Sequence, residues 1–178
     1  MKNLMKSWIL GLVIVAAALN GLLAGGNVDR ALVAMPAWRQ VGTTGWAEFS
    51  RHADLANGQW VYPALAFGGT LTSVIAAILC AWAWRRDRRA VVPVALAAVL
   101  MLVSLPVSFQ AIPYMQSLRH ISNDDPAALV RAFSGFEFWG RFQGILHVMA
   151  FGANLWSLIV VANSGAWNEN SRLTPANS

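Results

Sequence analysis

Four long stretches without a charged residue constrain this sequence more than any other feature. They cover positions 8–28, 59–84, 90–118 and 142–168. A helix that crosses a bilayer needs about 20 mostly apolar residues, so each stretch is long enough for one span. The composition agrees, because 57% of the chain is hydrophobic and only 12% is charged, against about 45–50% and 25% in soluble domains. We therefore predict an all-α, membrane-embedded four-helix bundle, with spans at about 8–34, 59–84, 90–116 and 136–162.

The distribution of Lys and Arg predicts the orientation of this bundle. Four spans place both termini and the segment 85–89 on one side of the membrane. That side holds seven of the 13 Lys and Arg residues and two of the eight acids, whereas the other side holds six of each. Because basic segments stay in the cytoplasm, we predict a multi-pass protein of the cell inner (plasma) membrane with both termini cytoplasmic. A polar, disordered cytoplasmic tail is expected at 163–178. The net charge of +5 is explained by topology, so no nucleic-acid partner is expected.

The first apolar run also resembles a secretory signal peptide. Lys2 and Lys6 precede it, and Ala16 and Ala18 could form a small-residue cleavage site. The run stays apolar well past Asn20, which is longer than an ordinary signal core. We favour a retained anchor helix over a cleaved signal.

The two connections on the non-cytoplasmic side carry helix signals of their own. In the first connection, Trp46, Phe49 and Ala53 recur at helical spacing, which predicts a short interfacial helix. In the second, Asp125 precedes Pro126, a pair typical of a helix start. The fourth helix is therefore expected to begin near Asp125 and to stand above the membrane before entering it.

Each span has one face of small or polar residues. On the fourth span this face consists of Glu137, Gly140, Gly144, His147, Phe151 and Asn154. Close helix packing explains the small residues. His147 has two open interpretations, a structural hydrogen bond or a functional role, since an ionisable residue inside a membrane marks a candidate site.

The candidate site gathers residues from three helices. Glu137 and Arg141 are four apart and can form an ion pair, and we predict that both face an outward-opening pocket together with His147. These three are the candidate catalytic residues. The candidate contacts for a bound molecule are Asn27, Arg30, Trp139, Tyr62 and Asn154. The alternative is that these charges form an ordinary solvated rim at the helix ends.

The histidine and cysteine residues do not suggest a metal centre. The three His are isolated, without His-x-x-x-His, Cys-x-x-Cys or Glu-x-x-His spacing, and the single Cys80 cannot form an internal disulfide. We predict neither a metal nor another cofactor.

Several short motifs carry a family resemblance. They are the segments 21–26 and 31–38, Trp46-x-x-Phe49-x-Arg51-x-Ala53-Asp54, Tyr62-Pro63, Ile112-Pro113, and Trp139-Gly140-Arg141-Phe142 with His147. In these the chain resembles an anthrone-oxygenase-like family of small four-helix integral membrane proteins of unknown function. The resemblance implies cofactor-independent oxygenation of an anthrone, with His147 as the base and Arg141 stabilising a developing enolate. Val148 and Met149 follow His147 here, where the family pattern has an Arg.

Two function classes follow from the sequence. The first is a membrane-embedded pocket protein, with an oxygenase acting on a hydrophobic aromatic substrate as its enzymatic form. The second is a non-enzymatic membrane component that binds a partner protein or lipid. The expected partners are the lipid bilayer and a hydrophobic small molecule, and a homo-oligomer is left open. A channel or transporter ranks third, because no inverted repeat or pair of broken helices is evident.

Overall fold

The computed structural model of the protein describes residues 2–84 and 88–163. Its helices are α1 (Lys2–Asp29), α2 (Met35–His52), α3 (Gln59–Ala83), α4 (Arg88–Ser117) and α5 (Pro126–Asn163), with π-helical turns at Arg30–Ala34 and Asp54–Gly58. The helical stretches Leu4–His52, Asp54–Ala83, Arg88–Ser117 and Pro126–Asn163 are long and apolar enough to cross a membrane. The predicted all-α fold with four long apolar helices is confirmed, and the two described ranges contain no strand.

Four of the helices form an up-and-down bundle in the ring order α1, α3, α4, α5. We call the end where α3 passes to α4 the base, and the end where α2 lies the cap end. An apolar cluster closes the base, formed by Ile9, Val13, Ala76, Cys80, Ala90, Val94 and Val161. A second cluster fills the middle of the bundle, formed by Leu23, Ala97, Leu100, Met101, Ala150 and Ala153. The base and the middle of the bundle are thus each closed by an apolar cluster.

A polar contact lies inside the packed part of the bundle. Asn20 on α1 is fully buried, and its Nδ2 donates to Ser73 Oγ on α3 at 3.2 Å. A Cβ atom at Gly69 would collide with Asn20 Oδ1, so a glycine is needed where α3 crosses this side chain. Here the small residues serve close packing, as expected in the absence of a hydrophobic force between helices in lipid.

The helix α2 bends at Gly42 and covers the cap end. Gly42 has φ of 87° and ψ of 167°, a conformation that side-chain-bearing residues rarely adopt. Beyond the bend, Trp46 is fully buried against the start of α5, with ring centroids 5.1 Å from Phe133 and 5.9 Å from Phe136. These rings anchor an apolar cap core that also contains Met35, Trp38, Ala47, Leu55, Met115, Leu118, Leu129 and Ala132.

Arg51 fastens α2 to the connection between α4 and α5. Its guanidinium donates to the carbonyl oxygens of Leu118 at 3.0 Å and Ile121 at 2.7 Å, and to Asn123 Oδ1 at 2.6 Å. Glu48 accepts hydrogen bonds from Asn123 at 2.6 Å and Arg51 at 3.0 Å. The Asn123 hydrogen bond and the charge of Arg51 hold the pKa of the Glu48 carboxyl below its usual value. These bonds satisfy carbonyl groups that the connection cannot pair within itself.

The helix α5 begins where its sequence predicts. The Ala128 N–H donates to Asp125 Oδ1 at 2.9 Å, so Asp125 caps the helix and Pro126 occupies its first position. The 38 residues of α5 extend about 57 Å at a rise of about 1.5 Å per residue, against roughly 30 Å of bilayer hydrocarbon. The predicted start near Asp125 is confirmed, and α5 projects into the cap.

Other predicted boundaries differ from the helix ends. The first helical stretch continues past position 34 through the π-turn into α2, and its backbone first leaves helical geometry at Gly42. The predicted helix around Trp46 corresponds to the second part of α2. Arg85, Arg86 and Asp87, and the predicted tail from position 164 onward, lie outside the described residues.

The burial of Trp46 predicts that the cap is a major source of stability. We expect Trp46→Ala to lower the free energy of unfolding by about 3–5 kcal/mol, because the change leaves a cavity beside two phenylalanine rings. The matched control is Trp60→Ala, since Trp60 is 74% exposed. Unfolding of the purified protein in mixed detergent micelles would be followed by circular dichroism. Equal losses for the two variants would contradict this account of the cap.

Candidate functional site

A cavity of about 240 Å³ lies between the helices in the cap half of the bundle. We call it the central cavity. Its apolar walls include Leu23, Phe67, Leu105, Phe109, Ile112 and Phe136, and its polar groups include Asn27, Arg30, Asp54, Tyr62, Ser108 and Gln143. Phe67 and Phe109 are also more than half exposed, so the cavity reaches the outside of the bundle beside α3 and α4. This mixture of apolar wall and few convergent polar groups is typical of small-molecule sites.

An ion pair forms the polar end of the central cavity. Arg30 Nη2 donates to Asp54 Oδ1 at 2.5 Å and to the Tyr62 hydroxyl at 3.5 Å. The same guanidinium lies 5.3 Å from the ring centroids of Tyr62 and Phe136, within the range of a cation–π interaction. The Arg30 guanidinium is therefore held in place by the Asp54 carboxylate and by the rings of Tyr62 and Phe136.

The second oxygen of Asp54 has no hydrogen-bond partner among the described residues. The Asp54 side chain is only 6% exposed, and Oδ2 is buried. Leaving a buried acceptor of this kind unpaired costs about 1–3 kcal/mol, and more for a charged group. Asp54 is among the residues that line the central cavity, so its carboxylate belongs to the polar end of that site.

A further polar pair lies on the opposite wall of the central cavity. Gln143 Nε2 on α5 donates to Ser108 Oγ on α4 at 2.7 Å, and Ser108 Oγ donates to the Ser104 carbonyl at 2.9 Å. This arrangement leaves the amide oxygen of Gln143 as a second acceptor in the cavity wall. The lining thus contains acceptor oxygens together with donors, among them the Arg30 guanidinium and the amides of Gln59 and Gln116.

His147 is fully buried next to the cavity and contacts Asn27. Asn27 Nδ2 donates to the Leu23 carbonyl at 2.8 Å and lies 3.0 Å from His147 Nδ1. The carbonyl contact fixes the orientation of the amide, because an amide oxygen there would face another oxygen. His147 Nδ1 therefore accepts from Asn27, which places the imidazole proton on Nε2. Within the described structure this Nε2 has no partner.

The ion pair predicted between Glu137 and Arg141 is confirmed, with Arg141 Nη2 2.5 Å from Glu137 Oε1. Arg39 of α2 donates to the same oxygen. The three side chains stand above a second cavity of about 540 Å³ that lies between α1 and α5, which we call the α1–α5 groove. Asn27 and Arg30 line both the groove and the central cavity.

The structure separates some residues that the sequence analysis grouped. Glu137 and Arg141 line the α1–α5 groove and Tyr62 lines the central cavity, but His147 is not among the residues lining either one. It is fully buried behind Asn27, which contacts it and lines both cavities. Trp139 instead stacks with Phe138 and Phe142 on α5. Asn154 is buried further toward the base, away from both linings.

Gln143 and Phe136 were not predicted for the site, and Asp54 was considered only as one of the outer charges that either form a solvated rim or converge with His147 into a pocket. The sequence did point to Asp54, because it is the last residue of the motif that begins at Trp46. Gln143 is a polar residue within an uncharged run, and a polar residue in such a position is a candidate for a functional site. Phe136 could not be distinguished from the other aromatic residues of α5. Across residues 2–84 and 88–163 no group of three His, Cys, Asp or Glu side chains is placed to hold a metal ion.

Comparison with protein families, with curated proteins and with solved structures finds no match to this chain. The resemblance to the anthrone-oxygenase-like family therefore rests on the motif residues alone and stays a prediction.

The contact between Asn27 and His147 predicts a measurable coupling between these two residues. In a double-mutant cycle of Asn27→Ala and His147→Ala, we expect a coupling free energy of about 0.5–1.5 kcal/mol in unfolding, the usual size for a hydrogen bond between membrane helices. A parallel cycle of Asn27→Ala with Asn154→Ala should be additive, because no contact joins that pair. Additivity in both cycles would show that the Asn27–His147 contact contributes nothing to stability.

Proposed function

We propose that this chain is an integral membrane protein that binds a small hydrophobic molecule in its central cavity, through a hydrogen-bond donor on that molecule. The carrying observation is the Asp54 carboxylate, which belongs to the lining of a mostly apolar cavity. Its second oxygen, Oδ2, is buried beside that cavity without a partner among the described residues, so a ligand donor that reached it would find an unpaired acceptor. An apolar molecule with one hydroxyl or amino group would satisfy both features. The rings of Tyr62, Phe67, Phe109 and Phe136 favour an aromatic body.

The surface of the bundle supports the membrane location. Large apolar side chains are exposed along its sides, including Leu22, Phe67, Leu71, Ile78, Leu102 and Ile159. Continuous apolar surface of this kind is rare on soluble monomers and is expected where lipid is the solvent. We further propose the inner (plasma) membrane, with the base in the cytoplasm, the cap outside and α2 at the interface, because the excess of Lys and Arg lies at the base.

A catalytic role for the site rests on the family resemblance. In that proposal His147 would act as the base that takes a proton from the bound substrate, and Arg141 would stabilise the developing enolate. The geometry supports binding more directly than this chemistry, because Asn27 lies between His147 and the cavity and Arg141 is paired with Glu137 in the groove. Chemical change of a bound molecule would favour the enzyme, whereas release of an unchanged molecule would favour a non-enzymatic binding protein.

The topology predicts which positions a membrane-impermeant thiol reagent can reach in intact cells. Asn123→Cys in the cap connection should be labelled from outside, and Arg88→Cys at the base should be labelled only after the membrane is permeabilised. The wild-type chain is the control, because its one cysteine, Cys80, is buried. Labelling of Arg88→Cys in intact cells would contradict the proposed orientation.

The binding proposal predicts a preference for donor-bearing ligands. We expect 1-naphthol to bind with a Kd about tenfold lower than 1-methoxynaphthalene, which has a similar body but no hydroxyl proton, because a hydrogen bond to a charged acceptor contributes about 1.5–3 kcal/mol. Equilibrium dialysis of the detergent-purified protein would measure both. Asp54→Asn should reduce the difference in Kd between the two ligands, because a neutral amide oxygen is a weaker acceptor than a carboxylate.

Two neighbouring glycines provide a matched control for the location of that binding. A Cβ at Gly25 or at Gly26 would meet nothing within 4 Å, so either position accepts a larger side chain. Gly26 lines the central cavity and Gly25 does not. Gly26→Leu should abolish naphthol binding by filling the cavity, whereas Gly25→Leu should leave it unchanged. Equal affinity of the two naphthalene probes, or equal binding by the two glycine variants, would refute the proposal.

A further inference from the structure

The α1–α5 groove combines an apolar channel with a positively charged rim. Its walls are formed by Val28 of α1, Leu32 of the following π-turn, and Ile145, Val148 and Met149 of α5. Gly140 lies between the walls, and a Cβ there would meet nothing within 4 Å. From Gly140 to Met149 the helix rises about 13 Å. The groove is therefore a continuous apolar channel that runs from the cap end toward the middle of the bundle.

The charges of the groove are gathered at its cap end. The charged residues of its lining are Arg30, Arg39, Arg141 and Glu137. Because Arg30 is paired with Asp54, the excess is the single positive charge that Arg39 and Arg141 leave over Glu137. The Arg39 and Arg141 side chains are 50% and 65% exposed, and each is bonded to Glu137 through Nη2. A guanidinium has five N–H donors, so both arginines keep donors for an anion. Arg side chains recognise phosphate oxygens through paired hydrogen bonds of this kind.

We propose that the α1–α5 groove binds one anionic phospholipid, with its phosphate on Arg39 and Arg141 and one acyl chain along the apolar channel past Gly140. This site is separate from the central cavity, and it rests on the proposed membrane location alone. The positions of these groups along the bundle suit a phospholipid. The arginines lie at the cap end, where lipid headgroups would be, and the apolar walls lie below them, where acyl chains would be. The net positive charge of the lining selects a lipid with a net negative headgroup over a zwitterionic one.

A second copy of the chain is the competing occupant, since Gly140-x-x-x-Gly144 is a spacing that favours helix pairing. A symmetric dimer through this face would bring Arg141 of one copy close to Arg141 of the other, because a two-fold contact matches the same surface on both subunits. Like charges at such a contact are unfavourable. The groove between α1 and α5 also has depth, which suits a narrow acyl chain better than a whole helix.

Native mass spectrometry of the detergent-purified full chain tests the proposal. The probes are phosphatidylglycerol, phosphatidylcholine with the same acyl chains, and glycerol phosphate without acyl chains. We expect phosphatidylglycerol to bind with a Kd about tenfold lower than phosphatidylcholine, and glycerol phosphate not to bind. Arg141→Gln should weaken phosphatidylglycerol binding about tenfold, whereas Arg131→Gln, an exposed arginine ten positions earlier on α5, should not.

Glycine variants test the channel independently of the charges. Gly140→Leu should fill the groove and remove binding of both lipids. Gly152→Leu is the matched control on the same helix, because a Cβ at Gly152 also meets nothing within 4 Å and Gly152 lies outside the groove lining. Equal effects of Arg141→Gln and Arg131→Gln would overturn the lipid site. So would a dimer that Gly140→Leu converts to a monomer while lipid binding persists. If the same samples bound naphthol normally, the lipid proposal for the groove would fail while the binding proposal for the central cavity would stand.

Discussion

The ion pair between Arg30 and Asp54 holds together the part of the structure from which both candidate sites are built. Arg30 lies in the π-turn that follows α1, and Asp54 lies in the π-turn that leads into α3. Their contact therefore joins the cap ends of two neighbouring helices. Burying such a pair carries a desolvation cost, which the Tyr62 hydroxyl and the two aromatic rings around the guanidinium help to offset. The same pair leaves the second oxygen of Asp54 without a hydrogen-bond partner among the described residues.

The end of α1 lies between two cavities whose polar groups differ. On one side Asp54 and the Gln143–Ser108 pair present acceptors to the central cavity. On the other side Arg39 and Arg141 present donors to the α1–α5 groove. Asn27 and Arg30 belong to both linings. Because one helical wall serves two cavities, the proposed small-molecule site and the proposed lipid site would lie side by side in a single bundle.

The candidate site was predictable where local helix geometry determines contact. Glu137 and Arg141 are four apart on one helix, and their ion pair follows from the helical repeat. Asn27 was expected on the helix facing His147, and the two side chains do meet. His147 was expected to share a pocket with Arg141. Whether it does depends on how α5 is rotated about its axis and on the angle at which it crosses α1, and the spacing of residues along one helix specifies neither. The bulk of Asn27 and the close approach of α1 instead leave His147 behind the cavity wall.

By itself the sequence determined the helical class, the four long apolar helices, the Asp125 cap of α5 and the Glu137–Arg141 pair. Each depends on residues within a few positions of one another or on total apolar length, so local physics is sufficient. Only the tertiary structure decided that Asp54 meets Arg30, that Arg39 joins Glu137, and that Asn27 shields His147. These partners are separated by 24, 98 and 120 positions. Their meeting depends on the bend at Gly42, the two π-turns and the rotation of each helix about its axis, which arise from packing of the whole bundle.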